Sequence, residues 1–351
     1  MAANISEVLI SSDSHVMESF DLWAERLPAA FRDRAPRYEH LRQKNESAAH
    51  PGGNDPRARV KEMATDGVSG EVLYPTIQMD QFGIKDPALQ EACFRVYNDW
   101  LMEYCGYMPS RLYGIGAISS YNIDHAIVEM ERCKKAGMRG VMIWQVPPKE
   151  LPFTSDHYDR FWGAAQDMAL PVSLHILTGA PYGPGELITW SRTATALEAM
   201  RLAVNTKLLY ASNALLDIVG TGVFDRFPRL NLVLVENEFS WLPFVVSQWD
   251  KYASRGGNFQ LKAKKLPGEY FKRNIYATFF NDPPIRTLLQ DWGYDNCMWS
   301  NDFPHPNSTW PKSRDVIARD LGHLPSEVVS KLVNRNVTRL YDLPVIEQVH
   351  V

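Results

Sequence analysis

Eight short apolar runs recur along the chain, at 8–12, 71–75, 112–118, 139–144, 171–176, 230–236, 274–280 and 296–300, at intervals that leave room for helices. Runs so short and so continuously apolar read as strands buried on both faces, the habit of parallel sheets. Amphipathic stretches lie between them at 87–104, 123–136, 157–168 and 193–227, the last long enough for two helices. Eight strands alternating with helices predict a closed (β/α)8 barrel of the TIM type. A doubly wound sheet is the alternative, but no Gly-x-Gly-x-x-Gly follows the first run; Gly114-Ile115-Gly116 lies inside the third and reads as a packing feature. Residues 1–351 are therefore expected to form one barrel domain. It carries a long polar loop at 38–56, a Gly/Pro-rich candidate lid at 178–185, and a helical C-terminal segment at 313–343 docked through Leu332, Val333, Val337 and Leu340.

Charge narrows the choice of partners. The chain has 37 basic and 41 acidic residues, a net charge of −4, and no long basic run, so nucleic acid and anionic membranes are not expected partners. No stretch reaches the roughly 18 apolar residues of a membrane span, and no basic segment followed by an apolar one opens the chain. A soluble, cytoplasmic protein is expected. Cys93, Cys105, Cys133 and Cys297 are widely spaced without a Cys-x-x-Cys pair and read as ordinary buried thiols.

The chemistry concentrates where the runs end. Asp13 and His15 close the first run two residues apart, so a carboxylate and an imidazole point the same way. His175 ends the fifth run, Glu236 the sixth, and Asp302 follows the eighth with His305 three residues on. Each has a bland reading as a turn, a helix cap or a satisfied core histidine. In a barrel, however, all strand C-termini meet on one face, where the active sites of this fold lie. Asp13, His15, His175 and Asp302 then form a mixed nitrogen and oxygen set for one divalent ion, Zn²⁺ first, with Mn²⁺ or Fe²⁺ as alternatives. Glu18 reads as an outer metal ligand, a partner for an arginine, or an acid at a helix N-terminus. Trp144, Tyr182, Trp190, Trp241 and Trp299 are candidates to line an apolar substrate pocket.

These residues also carry a resemblance. Asp13-Ser14-His15-Val16-Met17-Glu18, Arg34-Ala35-Pro36, Ser173-Leu174-His175, Phe227-Pro228-Arg229-Leu230, Trp241-Leu242-Pro243, Ser300-Asn301-Asp302-Phe303-Pro304-His305 and Asn336-Val337-Thr338-Arg339-Leu340-Tyr341 together make nearly the whole chain resemble the amidohydrolase superfamily. The likeness is to its amidohydrolase-2 branch, which includes aminocarboxymuconate semialdehyde decarboxylase and γ-resorcylate decarboxylase. The resemblance implies a barrel with a mononuclear metal site and a homodimer. It also shows two departures: Asp13 stands where many members carry histidine or glutamate, and Glu236 where decarboxylases of the branch commonly carry an acid/base histidine. The leading expectation is a metal-dependent hydrolase that activates water against an acyl or activated C–C bond of a small organic acid. In it Asp302 accepts the water's proton, Glu236 orients the water or protonates the leaving group, and His305 supports Asp302 or binds a substrate carbonyl. The alternative is a metal-dependent nonoxidative decarboxylase, with Asp302 or Glu236 moving the proton.

Overall fold

A strand whose side chains are apolar on both faces needs cover on both faces, and each of the eight runs finds it. The computed structural model describes residues 6–38, 50–179 and 195–345. The strands are β1 (Leu9–His15), β2 (Val68–Tyr74), β3 (Leu112–Ala117), β4 (Gly140–Ile143), β5 (Val172–His175), β6 (Leu232–Val235), β7 (Ile275–Phe279) and β8 (Cys297–Trp299). All their residues are buried except Tyr276, which is half-buried. They form one parallel sheet in the order β1 to β8, each strand paired with the next in sequence.

Side chains and loop backbone close the circle between β8 and β1. Ser12 Oγ donates to Trp299 O at 2.9 Å, Asp302 N–H to Asp13 O at 3.1 Å, and His15 N–H to Phe303 O at 2.7 Å. The arrangement is a (β/α)8 barrel, and these closing bonds bring the end of β1 against the loop that carries Asp302.

The amphipathic stretches are helical, at Pro87–Cys105, Ile123–Lys135 and Asp159–Asp167. The stretch at 193–227 holds Ala196–Met200, a π-helical turn at Arg201–Thr206, then Lys207–Gly220 and the short Val223–Arg226. Asp86 and Asn122 cap two of these helices by accepting first-turn N–H bonds. Gly116 is a packing feature as expected: a Cβ there would lie 2.8 Å from Cys133 Sγ, so glycine lets the helix at Ile123–Lys135 approach β3 closely. The C-terminal segment is helical at Ser313–Leu321, Ser326–Ser330 and Asn336–Tyr341. It ends with Tyr341, whose hydroxyl lies 3.1 Å from that of Tyr74, which in turn meets Ser173 Oγ at 2.9 Å.

Of the expected loop at 38–56, residues 39–49 lie outside the described part. His50 onward leads through a short 3-10 turn, Pro51–Gly53, into the helix Pro56–Asp66. Of the candidate lid at 178–185, only Thr178 and Gly179 are described. No described helix is long and apolar enough to cross a membrane.

Candidate metal centre

Parallel register decides which side chains meet. His175 pairs with Val235 across β5 and β6, so Glu236 emerges beside the imidazole. Asp13 and His15 project from β1 into the same space, and Asp302 enters across the β8 to β1 closure.

The histidines are oriented from behind. His15 Nδ1 lies 2.7 Å from Pro75 O, and His175 Nδ1 lies 3.1 Å from Ile176 O. A carbonyl accepts only, so each Nδ1 carries the proton and each Nε2 presents a lone pair. Those two Nε2 atoms are 3.4 Å apart. Facing lone pairs repel unless a cation shares them.

The carboxylates make the same demand. Asp13 Oδ1 lies 3.5 Å from His15 Nε2 and 3.9 Å from His175 Nε2, and Asp302 Oδ1 lies 3.5 Å from His15 Nε2. Glu236 Oε2 is 3.6 Å from His175 Nε2 and 3.9 Å from His15 Nε2. Both oxygens of Asp13 and Oδ2 of Asp302 are buried without a hydrogen-bond partner, a state that costs several kcal/mol per ionised group if uncompensated. One ligand atom from each of Asp13, His15, His175 and Glu236 falls within 4.8 Å of the others, as do atoms of His15, Glu236, Asp302 and His305.

Electrostatics tells the same story. Burial, then the carboxylates of Asp302 and Glu236, push Asp13 well above the ordinary aspartate range. Burial and then Asp302 push Glu236 up to about 8. Burial, with His305 and His175 behind it, holds His15 well below the ordinary histidine value, and burial brings His175 down to about 3. Carboxyls pushed toward the protonated form beside imidazoles pushed toward the neutral form mark a set short of positive charge at its centre. A divalent cation supplies that charge, so the residues fit one.

Around this set the structure assigns the remaining candidates. His305 donates or accepts at both nitrogens, with Nδ1 3.0 Å from Asp302 Oδ1 and Nε2 3.1 Å from Thr76 Oγ1, and its ring lies 3.9 Å from that of His15. Burial lowers its pKa, but Asp302 and then Glu236 and Glu18 outweigh that and raise it. Glu18 belongs to neither ligand group. It accepts N–H bonds from Thr76, Ile77 and Gln78 at 3.2, 2.9 and 3.2 Å, at the start of the 3-10 turn Ile77–Gly83. Its acid-at-a-helix-start reading is the one the structure takes. Burial pushes it up to about 7 despite those bonds.

Both site carboxylates on strand ends sit at positive φ, 58° for Glu236 and 56° for Asp302. For non-glycine residues this conformation is costly and collects at functional sites.

The aromatic pocket drawn from the sequence is corrected. The Trp144 indole donates to Tyr158 Oη at 3.0 Å and Trp241's to Asn237 O at 2.9 Å, while Trp299 is buried within β8; all three are packing residues. Tyr182 and Trp190 lie outside the described residues. Among the described residues, the cavity beside Glu236, about 210 Å³, is lined by Ile176, Leu177, Leu202, Ala203, Lys207 and Asn307.

Three contributors had no signal in the sequence. Lys207 stands on a helix face that periodicity does not aim at the barrel mouth. Thr76 supports His305 from a loop. Arg59 is fully buried, pairs with Glu71, donates to His15 O at 2.7 Å and Phe303 O at 3.3 Å, and lies 4.7 Å over the Phe303 ring.

The family described as Amidohydrolase (Amidohydro_2) matches residues 19–343. The chain belongs to this family. Among curated amidohydrolase-family proteins, it is 26% identical over 295 residues to γ-resorcylate decarboxylase of Rhizobium sp., covering 75% of this chain and 82% of that one. It is also 26% identical over 271 residues to the γ-resorcylate decarboxylase of Polaromonas sp., covering 71% and 77%. Solved structures share the fold. An amidohydrolase of Mycobacterium avium subsp. paratuberculosis superposes with a TM-score of 0.79 at 17% identity, over 97% of this chain and 98% of that one. A dihydroxybenzoic acid decarboxylase of Polaromonas sp., with bound manganese and 2-nitroresorcinol, gives 0.72 at 21% identity, over 96% and 97%. This amidohydrolase-family barrel therefore carries a site for a single divalent metal, and its curated relatives are decarboxylases.

Proposed function

We propose that the protein is a metal-dependent nonoxidative decarboxylase of small aromatic carboxylates. The observation that carries the reading is the buried, uncompensated set of Asp13, His15, His175 and Asp302 on a chain whose curated relatives are γ-resorcylate decarboxylases over three-quarters of its length. Water-activating hydrolysis, the first expectation from the sequence, gives way to its alternative. The expectation of zinc likewise gives way to manganese, the ion bound in the Polaromonas neighbour.

Asp13, His15 and His175 would hold the cation, with Asp302 at its edge. When bound, it supplies positive charge that draws in the substrate's oxygens and stabilises negative charge on the ring. The chain's own groups do the rest. Asp302, through its unpartnered Oδ2, delivers a proton to the ring carbon that bears the carboxylate. The C–C bond then breaks, its electron pair returns to the ring, and CO₂ leaves. His305, bonded to Asp302 Oδ1 and to Thr76, fixes that carboxyl and returns a proton to it. This route has no need of a histidine on β6, which is why Glu236 is compatible with it. Glu236 lines the cavity and hydrogen-bonds a polar ring substituent, while the apolar walls of Ile176, Leu177 and Leu202 exclude water from the ring.

The test is to incubate manganese-loaded protein with 2,6-dihydroxybenzoate and related hydroxybenzoates in D₂O. CO₂ release with one deuterium at the vacated carbon is expected. A protein that releases no CO₂ from such a panel, but places ¹⁸O from water into acyl products, is a hydrolase and the proposal fails.

A further inference from the structure

We propose that Lys207 is the specificity-determining residue of this cavity, and that the substrate carries a second anionic group, beyond its reacting carboxylate, which the Lys207 ammonium binds. The inference rests on the decarboxylase reading for the reacting end of the substrate and adds the far end.

Three observations carry it. The first is chemical: among the described residues lining the cavity beside Glu236, Lys207 is the only cation, and the rest are apolar except Glu236 and Asn307. Among the described residues, Lys207 has no hydrogen bond or close ion pair. The buried cation near the site, Arg59, is committed to Glu71 and two carbonyls.

The second observation is the local helix. Leu202, Ala203 and Lys207 all line the cavity, yet in an α-helix residues five apart point about 140° away from each other. The turn Arg201–Thr206 is π-helical, with its bonds running from i to i+5. That brings residue 207 back over residue 202. The irregularity therefore aims the lysine at the same space as the leucine. Such π turns are rare and gather at functional sites.

The third is the charge around the cavity. Lys207 and Glu236 both line the cavity, and Asn307 adds an amide without charge. Leu177 and Leu202 between them suit a ring, with one anion toward the metal-binding set and another toward Lys207.

The experiment measures binding by calorimetry of benzoate and of isophthalate to the manganese-loaded protein and to its metal-free form. Wild type is expected to bind isophthalate about tenfold or more tightly than benzoate. Lys207→Met is expected to erase that preference while leaving benzoate affinity, metal content and melting temperature close to wild type. Lys207→Arg keeps most of the preference, which shows that charge rather than shape is read. Equal affinity for the two acids in wild type overturns the proposal, as does a preference that survives Lys207→Met, or no measurable isophthalate binding to the loaded protein. If Lys207 only tempered the carboxylates, Lys207→Met would weaken both acids equally, and that too overturns it. None of these readouts depends on turnover. Absence of CO₂ release would remove the decarboxylase reading and leave the binding preference standing.

Discussion

Asp13 and Asp302 hold three buried carboxylate oxygens with no partner, and this separates the two from Glu18. Glu18 is as deeply buried but spends its oxygens on three backbone N–H groups. The difference predicts different variants. Asp302→Asn removes the proton donor while keeping the side chain's shape; turnover should fall about a thousandfold, with manganese near one per chain by elemental analysis. A variant that turns over at more than a tenth of the wild-type rate would take the proton step away from Asp302. Glu236→Gln should also retain the metal and lower turnover about ten- to a hundredfold, since an amide still reaches the substrate. Loss of manganese from that variant would make Glu236 a ligand instead. The residues at issue were legible in the sequence because each ends an apolar run, and period-two geometry with barrel closure does the rest. Lys207 was not, because its direction depends on a π turn that no pattern of apolar residues announces. The second role considered for His305, binding a substrate carbonyl, was equally unreadable from sequence: only coordinates show both nitrogens already engaged, by Asp302 and Thr76.

The helix Pro56–Asp66 shows how an element outside the barrel face positions the site. Its Arg59 reaches the floor of the loops, where one guanidinium ties Glu71 on β2, the His15 carbonyl on β1 and the Phe303 carbonyl after β8. The two segments that deliver Asp13, His15 and Asp302 are thus tied to each other and to β2 by one side chain. Arg59→Met leaves Glu71 buried and unpaired, and should cost about 3–5 kcal/mol of unfolding free energy in a guanidinium titration. Pairing it with Glu71→Leu should restore much of the stability but not the metal affinity, because the two carbonyls remain untethered. A single-variant loss below about 1 kcal/mol would show that the ion pair is dispensable. All eight strands, and the helices at Pro87–Cys105, Ile123–Lys135, Asp159–Asp167 and Lys207–Gly220, were readable from the alternation of apolar runs with amphipathic stretches, whereas Pro56–Asp66 and Leu242–Ala253 were not. This cross-element tether was not, since burial of an arginine is decided by what surrounds it after folding. The aromatic pocket failed for the opposite reason: tryptophans at strand ends looked like lining, but Trp144 and Trp241 found partners for their N–H groups in the packing around them.

For the molecule as a whole, the metal site is a concentration of charge that the fold tolerates only when compensated, and this makes stability depend jointly on metal and pH. In the metal-free protein Glu236 has its pKa raised to about 8 from an ordinary value near 4.5. The folded state therefore binds this proton more tightly than the unfolded one. Its stabilising contribution is complete below about 4.5 and is lost as pH rises through about 8, and Asp13 is shifted in the same direction. His175 runs the other way: with its pKa depressed from 6.5 to about 3, its contribution is complete above about 6.5 and is lost as pH falls through about 3. Manganese compensates the carboxylates but leaves His175 neutral, as it already is, so between pH 5 and 8 the acids alone set how the metal's effect changes. Metal binding must then displace fewer protons as pH rises, and its affinity must climb. At a thousandfold excess over Kd the ion adds about 4 kcal/mol to the folded state. The rise in Tm on adding manganese should therefore grow from pH 5 to pH 8, as read by paired thermal scans with and without the ion. An increment that stays flat or shrinks over that range would mean that the ion is not held by the acids that titrate there.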